Sequence, residues 1–206
     1  MPTSDGLKPS ISAEQALAKL IKGNQRFIRG EAHFPTICRE TLADLAKGQQ
    51  PFATILGCSD SRVPPELIFD ASFGELFIIR VAGNVISPEV KGSLQYAGGH
   101  LLTPLFLVLG HEACGAVKAA LQYKQTGSQH GSHIQVLVNN ICDGLPESSN
   151  QFSDEDLLVE AVEANVHWSM HQILETPEWE NATKAGANLV GAVYEITSGK
   201  VRFLSA

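Results

Sequence analysis

Two short stretches carry side chains suited to binding a metal ion. Cys58-Ser59-Asp60-Ser61-Arg62 offers a thiol, a carboxylate and a guanidinium, and His111-Glu112-Ala113-Cys114 offers an imidazole and a second thiol. Thiolate and imidazole are donors that zinc favours, and a catalytic zinc site uses three protein ligands while keeping one position for water. Cys58, His111 and Cys114 supply three. Asp60, two residues from Cys58, is a potential fourth, and Arg62, two further on, competes for it. That competition describes a switch. With Asp60 held by Arg62 the site is open; with Asp60 on the zinc it is closed and inactive. Thiols must lose their protons to bind metal, so acid releases it. Two thiolates also compensate the charge of the ion. Water in this site is therefore acidified less than in a site of three neutral imidazoles, where its pKa is about 7.

Singly, these residues mean little. A lone buried cysteine behaves as a small hydrophobe, which is the reading for Cys38 and Cys142. A lone histidine is structural, which is the reading for His33, His100, His130, His133, His167 and His171. Glu112 makes no zincin motif, because no second histidine follows at the required spacing. Ala82-Gly83-Asn84 is too short for a nucleotide-binding fingerprint.

The surrounding elements must bring the two stretches together. Each follows an apolar run that reads as a buried strand: Phe52 to Leu56 before Cys58, and Leu105 to Leu109 before His111. Leu76 to Val81 reads as another buried strand. Pro64-Pro65 permits a helix from Glu66, and Ser87-Pro88 is an N-cap and first-turn pair for a helix through Leu94, Tyr96 and Leu101. A further helix after His111 carries Val117, Ala120 and Leu121. Strand and helix thus alternate from Phe52 to Tyr123, the pattern of a parallel sheet with right-handed crossovers. Ligands collect beyond the carboxyl ends of such strands. His111 and Cys114, three apart at a helix start, can then face one ion.

Outside this unit, Ser12 and Gln15 form a capping box for a helix that Gly30 ends. Asn24 and Arg26 read as part of its solvated face. Arg39 to Lys47 is a short helix stopped by Gly48. Gln125 to His133 and Asn140 to Phe152 read as loops, with Ile134 to Val138 open to either strand or helix. Ser153 caps a long helix with Asp154, Glu155 and Asp156 in its first turn, and Pro177 ends it. Leu189 to Ile196 and Val201 to Leu204 flank Thr197-Ser198-Gly199-Lys200, a hairpin at the sheet edge. The expected fold is α/β: a central, mostly parallel sheet flanked by helices, with an N-terminal helical arm and a C-terminal edge hairpin. One domain is expected over 1–206, the arm spanning 1–50 and the core 51–206.

The net charge of −7, with no cluster of lysine and arginine, argues against a nucleic-acid partner. No apolar run reaches the length of a membrane span. Met1 to Pro9 is polar and lacks the apolar centre of a signal peptide, so the cytoplasm is the expected compartment, with a carboxysome or plastid as alternative settings. Cysteines there are metal-binding, catalytic or buried rather than disulfide-bonded.

Taken together, Cys-x-Asp-x-Arg followed some fifty residues later by His-x-x-Cys resembles the β-class carbonic anhydrases. The resemblance extends to Gly23-Asn24-Gln25-Arg26-Phe27, Arg80-Val81-Ala82-Gly83-Asn84, Gly110 to Val117, and Val190-Gly191-Ala192-Val193-Tyr194. It implies one zinc ion per chain, held by Cys58, His111 and Cys114, with Asp60 joining them only in a closed state. It implies a catalytic dyad of Asp60 and Arg62, in which Arg62 holds Asp60 and Asp60 orients a zinc-bound hydroxide that attacks carbon dioxide to give bicarbonate and a proton. It places Gln49, Phe77, Tyr96 and Gly115 around the substrate. It further implies a homodimer or higher homo-oligomer, with the site near the dimer interface and the N-terminal helices embracing the partner. Some members of the family carry tryptophan three residues before the first ligand and bind bicarbonate at an inhibitory site. Ile55 stands there in this chain, and with Gln49 present the open arrangement is expected near neutral pH. The segment Asn140-Ile141-Cys142-Asp143-Gly144 departs from the family's pattern, in a peripheral region. Two other readings share the same residues: hydrolysis of carbonyl sulfide or carbon disulfide, and zinc binding without catalysis.

Overall fold

The structure, a computed structural model, describes residues 9, 11–33, 39–146 and 154–205. Five strands form one sheet: β1 (Ala53–Gly57), β2 (Leu76–Arg80), β3 (Leu105–His111), β4 (Asn188–Tyr194) and β5 (Val201–Phe203), in the order β2-β1-β3-β4-β5. The first four are parallel, and β5 returns antiparallel to β4 as the edge hairpin. Helices α1 (Ala13–Ile28), α2 (Arg39–Leu45), α3 (Pro65–Ile68), α4 (Pro88–Gly99), α5 (Gly115–Thr126), α6 (Ser132–Cys142), α7 (Asp154–Leu174) and α8 (Pro177–Lys184), with a 3₁₀ turn at Ala82–Asn84, complete the described elements. The α/β fold with a mostly parallel sheet is the one the sequence predicts.

β1 and β3 are buried at every position, as expected of apolar runs covered on both faces. Side chains of a strand alternate between faces. Ile55, Leu107 and Leu109 therefore pack with Ala16 and Leu20 of α1 and Ile68 of α3. Leu56, Phe106 and Val108 pack on the other side with residues of α4, α5, α6 and α7. β2 differs from expectation. Its first four residues are half-buried and Arg80 is exposed, because the strand has a neighbour on one side only.

The capping box opens α1 as predicted: the Ser12 hydroxyl accepts the Gln15 N–H, and the Gln15 side chain accepts the Ser12 N–H. Gly30 follows the helix with φ +68°. The solvated reading of Asn24 is wrong. Its Nδ2 donates to the carbonyls of Ile68 (3.2 Å) and Gly199 (2.9 Å), and its Oδ1 accepts the Val201 N–H (2.9 Å). A buried amide with that many partners ties α1 to α3 and to the hairpin, and Arg26 pairs with the buried carboxylate of Asp70 beside it.

One open reading is resolved and two expectations change. Ile134 to Val138 is helical and belongs to α6, whose Val138 and Ile141 are three apart and buried together. That helix runs to Cys142, into a segment expected to be loop. Pro177 does not merely end α7; it opens α8, with the Thr176 hydroxyl accepting the Trp179 N–H. Ser153 and Cys38 lie outside the described residues.

Candidate metal centre

β1 ends at Gly57, which is paired with Arg80 of β2 and Leu109 of β3, so Cys58 leaves the sheet beside the end of β3. His111 is the last residue of β3 rather than the first beyond it. Glu112 and Ala113 then turn the chain, and Cys114 is the N-cap of α5. The two ligand candidates are thus not neighbours on a helix, as their spacing suggested. They flank a turn in which Ala113 takes the left-handed conformation, φ +52°, a cost of about 1–2 kcal/mol for a residue with a side chain.

The Cys58, His111 and Cys114 donor atoms lie within 4.8 Å of one another. All three residues are buried, with exposures of 5%, 0% and 2%. His111 Nδ1 is 2.8 Å from the Glu112 carbonyl oxygen. A carbonyl only accepts, so Nδ1 carries the proton and Nε2 keeps its lone pair. That Nε2 is buried and has no hydrogen-bond partner. A buried imidazole nitrogen near two thiols and without a hydrogen-bond partner has the character of a metal ligand, since burial without any partner would otherwise be costly.

The thiols interact with each other. Hydrogen bonding from Cys114 lowers the Cys58 pKa to about 4 against the effect of burial, with help from the Gly83 N–H. The same bond, together with burial, pushes the Cys114 thiol up. The Gly83 N–H lies 3.3 Å from Cys58 Sγ. Two sulfurs that share a hydrogen bond, and one imidazole nitrogen, form a donor set that fits a soft divalent ion.

Beside this cluster Asp60 is gripped by Arg62. Arg62 Nε donates to Oδ1 (3.0 Å), its terminal nitrogen donates to Oδ2 (2.7 Å), and its backbone N–H also reaches Oδ1 (2.9 Å). These bonds hold the carboxyl well below the usual carboxylate range. Asp60 Oδ2 is 3.9 Å from His111 Nε2, so the carboxylate borders the space that the donors face. The Arg62 side chain is half exposed.

Sequence reasoning missed the role of Arg80. Its guanidinium donates to the backbone carbonyls of Cys58 (2.9 Å) and Asp60, clamping the loop that carries both. The available signal was its place at the end of β2, in register with Gly57. Gly115 opens α5, and the space around its Cα is clear: a Cβ there would meet nothing within 4 Å. Phe77 and Tyr96 lie together, ring centroids 6.1 Å apart, and Tyr96 also stacks on His100 at 5.3 Å. Gln49 is exposed and borders a cleft with Asp44, His100 and Leu102. Among the described residues, none of Gln49, Phe77 and Tyr96 hydrogen-bonds to Cys58, Asp60, Arg62 or His111. No described helix is long and apolar enough to cross a membrane.

The model of the carbonic anhydrase family matches residues 53–201. Carbonic anhydrase 2 of Mycobacterium tuberculosis is 35% identical over 195 residues, covering 93% of both chains. Among solved structures, the β-carbonic anhydrase CafA of Aspergillus fumigatus superposes with a TM-score of 0.72 at 26% identity, over 93% of this chain and 90% of the other. One of two tetrameric β-carbonic anhydrases of Sordaria macrospora superposes with a TM-score of 0.72 at 22% identity, over 93% and 98%. At that identity the last likeness concerns the fold alone.

Proposed function

The chain belongs to the β-class carbonic anhydrase family and is an enzyme of that family, and from that premise we propose that it interconverts carbon dioxide and bicarbonate at the cluster of Cys58, His111 and Cys114, with zinc as the metal, one per chain. The observation that carries the reading is the meeting of three buried donors, one of them an unpartnered imidazole nitrogen, with a carboxylate already held by an arginine. A structural zinc site takes four protein ligands and needs no such pair beside it.

Zinc bound there supplies Lewis acidity, which makes water nucleophilic near neutral pH. The chain's own residues do the rest. Asp60, kept ionised by Arg62, is an acceptor at all working pH values; it takes a hydrogen bond from the nucleophile and turns its lone pair toward the substrate carbon. Arg62 spends its guanidinium on both carboxylate oxygens, which keeps Asp60 off the metal and supports reading this arrangement as the open one. Arg80 fixes the backbone on which Cys58 and Asp60 sit. The Gly115 N–H, at the start of a twelve-residue helix and in clear space, suits the developing bicarbonate anion. Gln49, Phe77 and Tyr96 complete the substrate pocket in this reading. Their exposed or half-exposed positions within one chain support a pocket finished at a homodimer interface, and the relative from Sordaria macrospora is described as tetrameric.

Stopped-flow hydration of carbon dioxide on metal-loaded protein, between about pH 6.5 and 9, tests the proposal. Two thiolates in the donor set predict turnover that rises toward alkaline pH. Absence of turnover from a sample holding one zinc per chain contradicts it.

A further inference from the structure

Helix α7 packs against the end of β3 and against the turn Ala82–Asn84. Val166 and Val162 lie against Gly110, the residue before His111: a Cβ at Gly110 would come within 2.6 Å of Val166 Cγ2 and 3.4 Å of Val162 Cγ1. Between and beyond these valines, α7 presents two polar side chains, Asn165 and Ser169, that are 1% and 0% exposed. They are four residues apart and so share one face of the helix.

Both are spent on the 3₁₀ turn Ala82–Asn84. Asn165 Nδ2 donates to the Gly83 carbonyl (2.8 Å). The Ser169 hydroxyl donates to the Asn84 carbonyl (2.9 Å) and accepts from Asn84 Nδ2 (3.3 Å). The turn needs holding. Gly83 and Asn84 both have positive φ, +68° and +45°, a region that residues with side chains seldom enter, asparagine more readily than most. Gly83 is also confined sterically, since a Cβ there would meet Ile141 Cδ1 at 2.7 Å and Ala116 Cβ at 3.1 Å. The N–H of this pinned glycine is the one that reaches Cys58 Sγ.

We propose that Asn165 and Ser169 are positioning residues for Cys58: they lock the Gly83–Asn84 turn so that the Gly83 N–H stays aimed at the Cys58 sulfur and sets how strongly that thiolate donates to the metal. The inference rests on Cys58 being a metal ligand, as proposed above. Groups that orient or hydrogen-bond a ligand from outside the coordination sphere tune metal affinity, and hydrogen bonds to ligand sulfurs draw charge from them. Burying an amide and a hydroxyl beside an apolar core is otherwise costly, and here, among the described residues, every side-chain bond they make goes to this one turn, while the Asn165 Oδ1 makes none.

The test uses the cobalt(II)-substituted enzyme, whose thiolate-to-metal charge-transfer band reports the donor strength of the sulfurs. Asn165→Ala and Ser169→Ala move the band to longer wavelength and speed zinc loss to a chelator by about tenfold. Ser169→Thr keeps the hydroxyl and stays near the parent. Ile173→Ala truncates another buried residue of the same helix, away from the turn; it lowers stability and leaves the band in place. A band unmoved in Asn165→Ala and Ser169→Ala, with zinc release matching that of Ile173→Ala, overturns the proposal. If Asn165→Ala does not fold, the comparison of Ser169→Ala with Ser169→Thr decides the same question. A parent protein that takes up cobalt without any thiolate band fails at the earlier step, the assignment of Cys58 as a ligand, and the two failures are thereby told apart.

Discussion

The two stretches that build the site are held by different means. His111 to Cys114 is fixed by burial and by backbone: His111 ends a strand buried on both faces, Ala113 turns in the left-handed region, and Cys114 starts a helix. Cys58 to Arg62 is fixed by polar bonds. Arg80 clamps its carbonyls, Gly83 donates to its sulfur, and Arg62 at its outer end is half exposed. A buried strand end tolerates no rearrangement, so it suits ligands that must not move. A loop held by hydrogen bonds can present a carboxylate with two possible partners. In the proposed site the first stretch supplies ligands alone, His111 and Cys114, whereas the second supplies both a ligand, Cys58, and the carboxylate that Arg62 holds.

Breaking the buried half has the largest effect. His111→Ala removes one of the three buried donors, and metal content, measured by elemental analysis, falls from about one per chain toward zero with loss of all turnover. Breaking the clamp on the other half is milder. Arg80→Met keeps much of the side chain's bulk while freeing the Cys58 and Asp60 carbonyls; turnover falls by about tenfold with metal retained, since such support is worth that order. Arg62→Lys sharpens the comparison further. A single ammonium cannot grip both carboxylate oxygens, so Asp60 is freer to approach the metal, and turnover falls mainly at the acid end of the pH profile.

Two smaller effects separate backbone from polar support. At Ala113, replacement by valine costs about 1–2 kcal/mol of stability, because a β-branched residue fits the left-handed region worse than alanine does. Replacement by glycine stays near neutral, strain relief offsetting the greater freedom of the unfolded chain. Thermal unfolding of the two variants checks both. At Asp70, burial raises the pKa, but Arg26 and the His33 N–H outweigh it and the net direction is down. The folded value lies below the unfolded one, so the unfolded chain binds more protons; the contribution to stability is present above about pH 4 and lost as the pH falls further. Asp70→Asn therefore flattens the acid side of the stability profile while leaving metal content unchanged.

Much of this was legible in the chain. The apolar runs of β1 and β3 announced buried parallel strands, and Cys58, His111 and Cys114, which the fold brings together, lie at or just beyond their ends. What was not legible depended on long-range partners. Asn24 looks solvated by its helical position, yet its partners are 44 and more residues away. Ile134 to Val138 is too short an apolar run to choose between strand and helix by period alone. Pro177 signals a boundary without saying that another helix begins there. Arg80, Asn165 and Ser169 carry no local pattern, because their roles lie in backbone carbonyls that only the folded chain brings within reach.

The most direct test of the account compares Asp60→Asn with the parent enzyme, measuring zinc content and carbon dioxide hydration on the same samples. The substitution keeps the shape and removes the charge, so neither Cys58, His111 nor Cys114 is disturbed. The account predicts about one zinc per chain in both proteins, with turnover lower by about a hundredfold in the variant, as expected when an orienting group is lost. Equal turnover in the two proteins would contradict it, because Asp60 would then have no part in the reaction.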